Sequence, residues 1–262
     1  MTWIAALPMY NVSERLGRAY EDFLVALAQE AGQEVSPQSP SDLPAFWRRR
    51  DLLLSQTCGY PYMTRLRGEV TLVATPCYDF AGCSGSDYSS VIVVREGAGV
   101  DVLADAAGLV AVVNDVNSNS GMNVLRHAVA PLAQDGRFFG KVIQSGSHAA
   151  SVRMVRQGAA DIAAVDCVTW GYLAREDPEA SIGLKALRYS ASSPGLPLIA
   201  GAAVEQELVL RLRGALLRPG ARLRELMDVL SIRGFEYRDD ADYALILQIQ
   251  TEAEAAGYPG LA

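Results

Sequence analysis

The sequence has no uninterrupted apolar run of about 18 residues, so it offers no candidate membrane-spanning helix. It also has no basic run and no basic helix face, and its formal net charge is −7. Those absences argue against general nucleic-acid binding and against docking on an anionic membrane surface. The four cysteines, Cys58, Cys77, Cys83 and Cys167, are scattered without a C-x-x-C. They permit three disulfide pairings, and a chain of this size needs none of them. With only two histidines, His127 and His148, a structural zinc site is not expected. Neither a metal nor a cofactor is expected.

Catalytic signatures are missing as well. No G-x-S-x-G elbow is present, so Ser118 or Ser120 with His148 and an aspartate makes a poor triad. Gly121 is not followed by Lys, which rules out a P-loop, and no G-x-G-x-x-G follows a strand. The N-terminal MTWIAALPMYN has neither a basic leader nor a small-residue cleavage site, and reads as a first core strand. The expectation is periplasmic if an export signal has been removed, and cytoplasmic otherwise. There is no internal repeat and no low-complexity tail.

What is present is ordinary globular composition: 262 residues, 50% apolar and 20% charged. That length suits one large domain or two lobes. Short apolar strands alternate with amphipathic helices. Ser13 reads as the cap of a helix to about Ala31, with Leu16, Tyr20, Phe23, Leu24 and Leu27 on one face. The stretch from Gln33 to Asp42 reads as a surface loop, and Leu43 to Arg50 as a short helix. Pro194 to Pro197 reads as a crossover, and the remainder as mostly helical, with a break at Pro219-Gly220 and a turn around Gly234. The pattern predicts an α/β protein with parallel sheets.

The chain is organised around Val110 to Arg126, VAVVNDVNSNSGMNVLR: a buried strand, a polar turn and a helix start. Ser118, Asn119, Ser120 and Gly121 fall where the helix begins, where unpaired N–H groups and the dipole favour an anion. The same residues also suit an ordinary N-cap. Two further junctions repeat the pattern, Gln56-Thr57-Cys58-Gly59 and Gln144-Ser145-Gly146-Ser147-His148. In parallel sheets such turns gather at the carboxyl ends of the strands, so the three are expected to converge. None of them contains Lys or Arg, so a bound oxyanion would be held by neutral donors and helix dipoles. Asp166, at the end of the strand Ile162 to Val165, reads either as a ligand-facing carboxylate or as a cap. Tyr10, Tyr60, Tyr78 and Tyr88 are candidate phenolic donors. His127 reads as structural.

The ordered set Val-Asn-Ser-Asn-Ser-Gly (116–121), Gly-Ser-His-Ala-Ala-Ser (146–151) and Gly-Ala-Ala-Asp-Ile-Ala-Ala-Val-Asp (158–166) follows Gln-Thr-Cys-Gly-Tyr-Pro (56–61). It resembles the phosphonate- and phosphate-type solute-binding proteins of ABC transporters. The resemblance covers most of residues 50 to 200 and, more weakly, the first strand. It implies a type II periplasmic-binding-protein fold, with two α/β lobes joined by two crossover strands and a ligand cleft between them. Lobe 1 would comprise residues 1–85 and 194–262, and lobe 2 residues 86–193. The implied function is binding of a small phosphate-like oxyanion (phosphonate, phosphate or phosphite), with hinge closure read by a transporter permease. The implied ligand residues are Ser118, Asn119, Ser120, His148 and Asp166, with Tyr10, Gln56 and Thr57 from lobe 1 and Tyr88 near the hinge. A cytoplasmic enzyme or a ligand sensor on the same fold is the alternative.

Overall fold

Two mixed β-sheets, each covered by helices, carry the architecture of the computed structural model, which describes residues 2–262. By their internal contacts the residues fall into two compact units. The first comprises residues 1–79, 84–87 and 194–243; the second comprises 80–83, 88–193 and 244–262.

The first unit is built on six strands, in the order Ile232–Glu236, Thr71–Tyr78, Leu198–Ala200, Leu52–Gln56, Trp3–Ala6 and Val35–Pro37. Leu52–Gln56 is buried along its whole length: Leu52, Leu53 and Leu54 suit a central strand, and the Ser55 hydroxyl donates to the Ala6 carbonyl at 2.8 Å. The helix Glu14–Glu30 starts at Ser13, whose hydroxyl accepts from the Leu16 N–H at 3.2 Å. It buries Leu16, Tyr20, Phe23, Leu24 and Leu27, the stripe read from the sequence. Phe23 stacks on Phe235 with ring centroids 6.0 Å apart.

Several expectations for this unit need correction. Only the pairs made by Trp3–Ala6 with Val35–Pro37 and with Leu52–Gln56 are parallel; the other three are antiparallel. Leu198–Ala200 is too short to show a period, and Gly234 is no turn. It sits within Ile232–Glu236, where the register with Thr71–Tyr78 shifts, and glycine suits such an irregular position. The expected 33–42 loop contributes Val35–Pro37 to the sheet edge, the place where proline is tolerated. The helix expected over 43–50 is shorter, Leu43–Phe46.

The second unit is built on five strands, ordered Leu184–Tyr189, Ser90–Arg95, Ile162–Asp166, Val110–Val113 and Lys141–Gln144. The last three run parallel to one another, while Ser90–Arg95 is antiparallel to both of its neighbours. Ile92, Ala111, Leu125, Ile162 and Ala164 meet in its core. Ala253 and Tyr258 join that same core, which explains why residues 244–262 belong here, whereas the sequence reading placed everything after 194 in lobe 1. The Phe138 and Phe139 N–H groups both donate to the carbonyl of Ala262, at 2.9 and 3.0 Å.

Candidate functional site

Because Val110–Val113 lies between Ile162–Asp166 and Lys141–Gln144, all parallel, three strands finish at one end of the second unit's sheet. Val113 is in register with Gln144. The segments that follow two of them carry Ser118 to Gly121 and Ser147 with His148, and Asp166 is the last residue of the third. Within this unit the strand order brings two of the three expected turns to one end of the sheet; the third, Gln56–Gly59, belongs to the first unit.

After Val113 the chain turns on Asp115, whose carboxylate accepts from the Asn117 N–H at 2.6 Å. Ser118 then has extended backbone (φ −84°, ψ 134°), and its Oγ accepts from the Gly121 N–H at 3.0 Å. The Asn123 N–H reaches back five residues to the Ser118 carbonyl at 3.0 Å, so the helix opens with a wide π-type turn. Gly121 is required here: a Cβ would lie 1.8 Å from Asn114 Oδ1. That oxygen is buried and makes no hydrogen bond among the described residues.

Ser120 Oγ lies 2.9 Å from His148 Nε2 and 3.4 Å from Ser118 Oγ. His148 is the first residue of the helix His148–Gln157, which Ser147 caps by accepting from the Ala150 N–H at 3.1 Å. Burial pushes the His148 imidazole down to about 4; the Ala164 backbone works weakly in the other direction. Its Nδ1 is buried without a hydrogen bond of full geometry. The ring is therefore neutral at pH 7. The Ser120 contact runs in either direction with the tautomer: a proton on Nε2 is donated to Ser120 and leaves its O–H free for an oxyanion, and a proton on Nδ1 makes Nε2 the acceptor from Ser120.

Asp166 is buried, and its Oδ1 accepts from the N–H groups of Val168 (2.8 Å) and Thr169 (3.0 Å). One carboxylate oxygen is thus a helix cap, as one of the two readings held. Asn119 is wholly buried and turned inward: its Nδ2 donates to Ser193 Oγ at 2.9 Å and to the Tyr88 hydroxyl at 3.4 Å, and its Oδ1 accepts from Asn123 Nδ2 at 3.0 Å. Its side chain fixes the turn through these three bonds.

Tyr10, Gln56 and Thr57 lie in the first unit. Tyr10 is buried with its ring edge-on to Tyr78 at 5.2 Å. Gln56 Nε2 donates to the Leu196 carbonyl at 3.2 Å, and the Thr57 N–H to that of Pro197 at 3.1 Å, fastening the returning segment. The Thr57 hydroxyl donates locally to the Cys58 carbonyl. His127 is structural, as expected, with Nε2 2.8 Å from Glu252 Oε2.

Sequence reasoning missed Ser193, Asn123 and Arg126. Arg126 is buried; Nη1 donates to the Pro259 carbonyl and Nη2 to Asn123 Oδ1, both at 2.8 Å. It makes no ion pair among the described residues, and its Nε is unpartnered. A buried cation thus stands behind the turn and orients the amides of Asn123 and Asn119 through hydrogen bonds. Asn119, Asn123 and Arg126 recur at helical spacing, and that pattern was the available signal. Ser193 carried none, being 74 residues from Asn119.

No curated protein matches the sequence. Among solved structures, a binding-protein component of an ABC phosphonate transporter from Pseudomonas aeruginosa is similar, with 20% identity over 98% of this chain and 87% of its own, and a TM-score of 0.82. PhnD1 from Prochlorococcus marinus, solved with methylphosphonate, is 18% identical over 97% of this chain and 98% of its own, also at 0.82. A Xanthomonas citri protein bound to ATP is 15% identical over 98% of both chains, with a TM-score of 0.71. These likenesses establish the periplasmic-binding-protein fold. The model of the ABC transporter phosphonate periplasmic substrate-binding proteins matches residues 4–243, and the chain belongs to that family.

Proposed function

We propose that the oxyanion of a phosphonate-type ligand (an alkylphosphonate, phosphate or phosphite) binds at the Ser118–Gly121 turn, with Ser120 and His148 as its principal partners. The observation that carries this is the 2.9 Å pairing of Ser120 with a half-buried, neutral His148 at the carboxyl ends of three parallel strands. Hydroxyls, imidazole and backbone N–H groups hold the anion, and Arg126 supplies positive field from behind the turn without touching it. Family membership and the methylphosphonate in PhnD1 support the ligand class. Asp166 contributes where a ligand brings an amine or a protonated oxygen. Gln56, Thr57, Tyr10 and Tyr88 complete the proposed set of ligand residues.

The bound form would be delivered to an ABC transporter permease from the periplasm. Isothermal titration with methylphosphonate, phosphate, phosphite and sulfate tests the binding step. Heat with at least one phosphorus oxyanion is expected, and no heat with any of them contradicts the proposal. Fractionation of cells expressing the full reading frame tests the compartment, with the protein expected in the periplasmic fraction and a cytoplasmic result opposing it.

A further inference from the structure

Away from the oxyanion turn, two cysteines distant in sequence are brought into contact. Cys83 Sγ lies 3.4 Å from Cys167 Sγ, and the residues are 84 positions apart. Both belong to the second unit. Their approach is arranged by the backbone. Gly82 adopts φ +95°, and a Cβ there would lie 3.0 Å from Cys167 Cβ, 2.8 Å from Ser89 Oγ and 2.7 Å from Tyr189. Ser89 fixes the glycine by donating its N–H (3.0 Å) and its hydroxyl (2.9 Å) to the Gly82 carbonyl, while the Cys167 N–H donates to the Ser89 carbonyl at 3.1 Å. Of the other two cysteines, Cys77 gives its thiol to Glu236, and Cys58 opens the short helix Gly59–Pro61.

We propose that Cys83 and Cys167 form a reversible redox pair that closes to an intramolecular disulfide in an oxidising compartment. The bond would fasten Phe80–Cys83 to the first residue of the helix Cys167–Glu176, the helix that Asp166 caps. Closure takes the sulfurs from 3.4 Å to bonding distance, about 2.05 Å. Cys83 is only partly buried, whereas Cys167 is fully buried, with its thiol pushed up by the hydrogen bond to Cys83 and by burial. Cys83 is therefore the attacking group. Its thiolate attacks a small-molecule disulfide RS–SR, giving Cys83–S–SR and releasing RS⁻. Cys167 then loses its proton and attacks the Cys83 sulfur, expelling the second RS⁻. The two thiols give up two electrons, RS–SR is reduced to two RSH, and the two cysteine protons end on them.

Oxidised glutathione is the probe. After incubation and denaturing alkylation, the wild-type chain should retain two free thiols of four, and peptide mass mapping should join Cys83 to Cys167. The melting temperature should rise by roughly 5–10 °C and fall back with dithiothreitol. Cys167→Ser should hold a persistent glutathione adduct on Cys83, and Cys83→Ser should form no bridge to Cys167. Four free thiols in the treated wild type, a stable adduct on its Cys83, or a bridge mapped to any other pair would overturn the proposal.

Discussion

Ser120 Oγ and His148 Nε2 stand 2.9 Å apart, although the residues are 28 positions apart and open different helices. The contact joins two helix starts that would otherwise be independent caps, and it engages a histidine that burial keeps neutral. Ser120→Ala removes the hydroxyl that faces the proposed anion. Affinity for methylphosphonate should fall by about 1–3 kcal/mol, roughly 5- to 150-fold. An unchanged dissociation constant by calorimetry would return Ser120 to a purely structural role.

The same histidine predicts a pH dependence of stability. Its folded pKa, about 4, lies below its ordinary 6.5, so between those values the unfolded chain binds more protons. Its contribution is therefore fully present above pH 6.5 and is lost as pH falls toward 4. From pH 7.5 to pH 5 the loss attributable to His148 is about 2 kcal/mol. Urea denaturation of the wild type and of His148→Gln at both values checks this. The difference in stability between pH 7.5 and 5 should shrink in the variant; equal slopes would oppose the assignment.

Gly121→Ala places a methyl group on Asn114 Oδ1 and should cost about 1–3 kcal/mol. Asn114→Ala removes the obstructing amide, so the double variant should recover much of the loss. A denaturant-based double-mutant cycle measures the coupling. Strict additivity would mean that the close approach is not what requires glycine.

The strand–turn–helix logic was legible because apolar runs and Ser caps are local signals. Ser118, Ser120 and His148 were found in that way, and the parallel order of three strands then placed them together. Asn119 reads as a ligand residue from its place in the turn. Its side chain faces Ser193 and Asn123, and no local pattern reports that orientation. Gly234 was misread because glycine signals a turn far more often than a register shift within a strand. Arg126 escaped notice because a cation in a helix normally faces water, whereas this one is buried with neutral acceptors.

Arg126→Met keeps the bulk of the side chain but leaves Asn123 Oδ1 and the Pro259 carbonyl without their donors. Folding stability should drop by about 1–3 kcal/mol in urea denaturation. Affinity for a dianionic phosphonate should weaken as well, since the positive field behind the turn is lost. Wild-type stability in this variant would show that the buried guanidinium is dispensable.

The location of the anion is tested most directly by NMR of the two imidazoles during titration with methylphosphonate. His148 sits at the proposed site, and His127 is paired with Glu252 elsewhere in the same unit, so each protein sample carries its own control. The prediction is a saturable shift of the His148 ring resonances with those of His127 unmoved. Calorimetric binding that leaves the His148 resonances unchanged would contradict the assignment of the oxyanion to the Ser120–His148 pair.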